Sequence, residues 1–160
     1  RDRLDDRGRQ WALMLCGWLH AAGAPAIEAT LDRLWLHRIG GFQVRDAVHA
    51  TCAARTLPLA TAADLRRAAV ACPLGLLLPL RHALDDPDAG ADTHRQALEA
   101  GILWSAPDRL LLGRHLKELG IPPGRHMGPI LDAVYEAQLA GEVTELQEAR
   151  SMAASLWSDR

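Results

Sequence analysis

Aspartates, histidines and thiols are the side chains through which this chain could hold a metal or attack a substrate, and their spacing decides whether they do. The run DDPDAGAD (85–92) gathers Asp85, Asp86, Asp88 and Asp92. A calcium loop requires oxygen ligands at alternate positions, glycine at the sixth and a bidentate acid at the twelfth. Counted from Asp86, glycine falls fifth and Ala97 twelfth. Counted from Asp85, Pro87 falls third and Gln96 twelfth. Neither register supplies the ligands, and the run reads as a capped surface turn. His20, His37, His49 and His82 fall on separate predicted helices without an H-x-x-x-H pair, so no two of them share a metal-binding face. Cys16, Cys52 and Cys72 are far apart and odd in number, a pattern of reduced buried thiols in a cytoplasmic protein. There is no Ser/His/Asp signature, no P-loop and no paired catalytic carboxylate. Catalytic residues and metal ligands are therefore expected to be absent.

The cationic side chains point elsewhere. Arg114, His115, Lys117, Arg125 and His126 cluster within LLLGRHLKELGIPPGRHMGPILDAVYEAQLAGEV (110–143), where Glu118 is the one acid between Leu110 and Leu131. The turn residues in this stretch are dense and ordered: Gly113, Gly120, Pro122, Pro123, Gly124 and Gly128. Proline fixes φ, and glycine permits positive φ or close backbone approach. Two short helices are thereby locked at one angle. Backbone N–H groups near Gly124 and Gly128, at the start of the following helix, could face a phosphate, and a helix-turn-helix packing corner without a ligand is the equal alternative.

The elements that must position this turn are helical. The 160 residues are 49% hydrophobic and 4% aromatic. Ala and Leu dominate and Val and Ile are scarce, which favours helices over strands. Eighteen basic and twenty acidic side chains leave a formal charge of −2, which excludes a strongly basic nucleic-acid protein but not a local basic face. CPLGLLLPL (72–80) is about half the ~20 residues of a membrane span, so no membrane association is expected. The opening RDRLDDRGRQ is neither a signal nor a transit peptide and lacks an initiator Met, which suggests a piece of a longer protein.

Periodicity predicts helices over 9–22 (Trp11, Leu15, Trp18 and Leu19 on one face), 26–38 (Ile27, Leu31, Leu34, Trp35; stopped by Gly40-Gly41) and 44–55. Thr61 and Asp64 form a near capping box for a helix to about Cys72, and Pro73 starts another that Pro79 kinks. Asp92 or Thr93 caps a helix ending at Gly101, and a short helix over 110–119 closes at Gly120. Another runs from Met127 to Gly141, and a Thr144–Gln147 capping box opens the last, toward Trp157. No stretch alternates with period two. The expected fold is all-α, about eight or nine short helices without a sheet, with a bundle over 1–88 and a second helical region over 89–160 that could form one compact unit with it.

Three resemblances bear on function. LCGWLHAAG is similar to the helix that carries the metal-binding His-Asp pair of His-Asp phosphohydrolases, but Ala21 follows His20 and the carboxylate is missing. GGFQVRD (40–46) resembles the Gly-Gly-x-Val-Arg-Asp loop of nucleotidyltransferases, but carries one residue too many, and no DxD or ExD pair follows within the next forty residues. The 110–143 stretch closely resembles the C-terminal region of bacterial CCA-adding tRNA nucleotidyltransferases and their poly(A) polymerase relatives. The stretch spans about a fifth of the chain, and its matching residues are Gly113, Leu116, Leu119, Gly120, Pro123, Gly124, Gly128, Leu131, Glu136, Ala137, Gln138, Leu139, Gly141 and Glu142. Arg125 stands where a second Pro is usual and Ala140 where Asp is usual.

That resemblance implies the helical body and tail that grip tRNA, without the head that binds ATP or CTP and magnesium. It implies phosphate contacts from Arg114, Lys117 and Arg125, and weaker hydrogen bonds from His115 and His126. No cofactor is expected in this piece. RNA, the missing head and a second copy through the tail are the expected partners. Three rival expectations are a free-standing helical interaction module without RNA binding, a degenerate His-Asp hydrolase relative and a plain structural domain.

Overall fold

A computed structural model describes residues 2–158, with side chains from residue 5 onward. It is all-α: nine helices and no sheet among the described residues. They are α1 (Asp2–Leu19), α2 (Ala24–Arg33), α3 (Val44–Ala54), α4 (Ala62–Ala71), α5 (Leu74–His82), α6 (Ala91–Glu99), α7 (Gly113–Glu118), α8 (Met127–Ala140) and α9 (Leu146–Ser158), with a 3-10 turn at Pro87–Ala89. None of the described helices is long and apolar enough to cross a membrane.

The chain divides into two compact units, Arg1–Ala106 and Pro107–Arg160. The expected division at 88/89 placed 91–99 with the second region; instead α6 packs with α5 and the 3-10 turn inside the first unit. The polar run 85–92 misled because it is tied down. Arg81 pairs with Asp86 and donates to the Leu57 carbonyl, while Asp86 Oδ1 accepts from the Asp88 N–H at 2.9 Å. Thr93, expected as a helix cap, instead donates to the Asp88 carbonyl at 2.8 Å.

In the first unit α5 is apolar on every side because it separates two cores. Leu76 and Leu80 join Leu15, Leu31, Val44 and Val48 from α1–α3. Leu74, Leu77 and Leu78 join Leu65, Ala97 and Ile102. At Gly75 a Cβ would fall 2.4 Å from the Trp104 ring, and the Gly75 N–H donates to the Leu103 carbonyl at 2.7 Å. Trp104 also meets Phe42 edge-on at 6.1 Å and carries the Arg9 guanidinium 4.3 Å above it. The Thr61–Asp64 capping box forms as expected, and Pro79 lies inside α5.

Two expected faces are corrected. Helix α1 buries Ala12, Leu15, Cys16 and Leu19, leaving Trp11 and Trp18 outside. Its apolar residues run nearly all the way round, and small Ala12 and Cys16 permit the closest packing against α3. Helix α2 ends at Arg33, before Leu34 and Trp35, both exposed. Trp35 takes φ +52°, and the Leu36 N–H returns to the Leu31 carbonyl at 3.3 Å. A left-handed residue thus stops the helix five positions before the glycines expected to do so.

Candidate functional site

The second unit is α7, α8 and α9 around Leu111, Leu116, Ile121, Ile130, Val134 and Ala149. Its entry segment is clipped to α8. Tyr135 donates to the Pro107 carbonyl at 2.8 Å, Gln138 Nε2 donates to the Asp108 carbonyl at 2.8 Å, and Gln138 Oε1 accepts from the Leu110 N–H at 3.1 Å. Arg109 pairs with Asp132 at 3.0 Å and lies over the Tyr135 ring. Burial pushes the Tyr135 phenol above its ordinary range.

Helix α7 begins at Gly113, three residues later than expected, because the Leu112 N–H is taken by the His115 ring at 3.1 Å. That bond makes Nδ1 an acceptor, and the other ring nitrogen, Nε2, lies 3.1 Å from the Arg114 Nε that donates toward it. His115 is 7% exposed, so it holds the start of α7 and is turned away from solvent. Leu116 points into the core, while Arg114 and Lys117, three apart on one helical face, are exposed.

Gly120 closes α7 at φ +78°, and the Gly120 and Ile121 N–H groups donate to the Lys117 and Leu116 carbonyls at 3.0 Å each. Pro122, Pro123, Gly124 and Arg125 then form an exposed corner. A Cβ at Gly124 would meet His126 Cε1 at 2.6 Å, so a side chain there would displace the imidazole. His126 is half-buried, donates from Nε2 to the Pro122 carbonyl at 2.7 Å and lies tilted against the Trp157 ring, with 4.6 Å between centroids. It fastens the corner to α9 and has little left to offer a ligand.

The expected backbone phosphate cradle is thin. At the start of α8 the Met127 N–H is used by the Gly124 carbonyl and the Ile130 N–H by the His126 carbonyl. Pro129 has none. Gly113 and Gly128 have no close neighbour that a side chain would displace, unlike Gly124.

What the turn presents is cationic side chains. Arg114, Lys117 and Arg125 are exposed and form no ion pair among the described residues. The nearby acid, Glu118, is paired with Arg150 of α9. Sequence reading missed Arg150, since nothing local shows that α9 folds back onto α7.

In the first unit His20 and the GGFQVRD run have structural partners. His20 Nδ1 donates to the Gly17 carbonyl at 2.8 Å, ending α1. Arg45 of the GGFQVRD run pairs with Asp32 and Glu28 of α2, and Gly41 donates to Asp5. Among the described residues no three metal-capable side chains converge. A cavity of about 530 Å³ beside Phe42 and Trp104 has Asp46 and Cys72 as its titratable lining.

No family model, curated protein or solved structure matches this chain. The site must be read from its own geometry.

Proposed function

We propose that this chain positions RNA, as the body-and-tail part of a cytoplasmic nucleotidyltransferase that extends RNA 3′ ends, and that tRNA is its partner. The observation that carries the reading is the set Arg114, Lys117 and Arg125. These three cations are exposed and in no ion pair among the described residues, beside a turn that proline and glycine hold stiff, and the local acid is neutralised from within. Cations so placed bind phosphates and orient the strand without reading its bases. The nucleotide chemistry, with ATP or CTP and magnesium, belongs to a head outside these residues, whose donor sets do not suit a metal pair.

Three phosphate contacts imply modest affinity with a definite salt response. Filter binding of tRNA is expected to weaken roughly 20- to 40-fold between about 50 and 200 mM salt. The Arg114→Glu/Arg125→Glu double variant should lose most binding and flatten that slope. Unchanged binding in the variant overturns the assignment. A helical interaction module without RNA binding is the second reading, favoured by the net charge of −2 and by the apolar outer face of α1.

A further inference from the structure

Helix α1 turns three large apolar side chains away from its own core. Trp11, Met14 and Trp18 are 47%, 60% and 70% exposed, and spacings of three and four put them on one helical face. Together they leave on the order of 400 Å² of apolar surface in water, a size at which a patch marks an interface. Gly17 lies beside Trp18 on the exposed side. Glycine weakens a helix interior, yet a Cβ at Gly17 would meet nothing within 4 Å, so no neighbour inside the chain requires its absence. Gly8 of the same helix is the contrast: a Cβ there would fall 2.8 Å from Phe42 Cβ and 2.9 Å from the Ile39 carbonyl oxygen.

We infer that this face pairs with the same face of a second copy, the two α1 helices running antiparallel about a two-fold axis at Met14. The stripe suits such pairing. With Met14 on the axis, Trp11 of each copy lies opposite Gly17 of the other, and the missing side chain leaves room for the indole. Trp18 then lies opposite Gln10, and the exposed Arg7, on the same face one turn before Trp11, comes within reach of the second copy's Trp18 ring. An isologous contact of this kind closes at two and needs no other partner.

The area agrees. Two stripes withdraw about 800 Å², and Arg7, Gln10, Leu13 and Ala21 at their rims bring the total to about 1,200 Å², the lower end of specific interfaces. A net charge of −2 per copy opposes association only weakly. An interface of this size is expected to associate weakly and reversibly.

Sedimentation equilibrium of the whole chain tests this. Between about 1 and 200 μM the mass is expected to rise from 17.4 kDa toward twice that value. Met14→Glu, at an exposed position, should hold the monomer mass throughout with its helical circular dichroism unchanged. Gly17→Leu fills the space for the indole without touching the core, and should weaken association at least tenfold while leaving thermal stability equal or higher. A wild-type chain that stays monomeric over the whole range overturns the inference, as does a Met14→Glu variant that assembles like the wild type. A monomer whose stripe is covered by some other protein counts among those overturning outcomes.

Discussion

Glu148 sets the start of the last helix with one carboxylate. Its Oε2 accepts from the Thr144 N–H at 2.8 Å, the Thr144 hydroxyl at 3.1 Å and the Glu145 N–H at 3.2 Å. The two backbone donors, then the hydroxyl, hold the carboxyl below its ordinary value of 4.5. A depressed acid stabilises the fold fully above its unfolded value, and that contribution is lost as pH falls through the folded one. Glu148→Gln is therefore expected to lower Tm at neutral pH, with the gap to wild type closing below about pH 4. A thermal melt series across pH reads it directly. The sequence pattern had placed this box on Thr144 and Gln147. The helix begins at Leu146, so the third helical position is Glu148, and the rule for that position holds one residue further on. Single side chains were otherwise legible where their partners are local. His115 was not, because its inward turn depends on the chain entering α7 through an extended Leu112.

At the scale of elements, glycine punctuation was readable and apolar faces were less so. Gly120 and Gly141 end α7 and α8 in the left-handed region, at φ +78° and +86°, as their place after each periodic run implies. Gly120→Ala should cost about 1 kcal/mol, read by denaturant unfolding. Gly113→Ala, whose new Cβ would sit 3.6 Å from Met127 Cε, should be tolerated. The end of α2 gave no such sign, because Trp35 occupies a conformation that tryptophan rarely adopts. The α1 face was misread for a related reason. When Trp11, Leu13, Met14, Leu15 and Trp18 all count as apolar, periodicity no longer selects a side, and the small Ala12 and Cys16 that win the core carry little weight in such a count. Of the candidate site, the turn and its three solvent-facing cations were visible in the residues. Neutralisation of Glu118 by Arg150 was not, since it arises only when α9 packs against α7.

The whole molecule carries separate cores in its two units, and each unit should respond to damage in its own core. Ile130 is 2% exposed at the centre of the second. Ile130→Ala is expected to destabilise that unit by about 3 kcal/mol and to speed amide exchange in α8 about a hundredfold. Protection in α3 and α5 should stay unchanged. The thiols offer a second readout confined to the first unit: Cys16, Cys52 and Cys72 are all free and buried there. The Cys52 thiol beside it and burial push Cys16 up, and burial pushes Cys72 up to about 12. Their labelling in Ile130→Ala should match wild type. Loss of α3 protection in that variant would mean that the second core also supports the first.

Lys117 is the one lysine in 160 residues, and it stands in solvent on the candidate RNA-facing helix. Its ε-amine is thus a unique address for acylating chemistry on side chains. A succinimidyl dye attached there reports from the turn itself, and a single acetyl group erases one third of the charge on which the proposed RNA positioning rests.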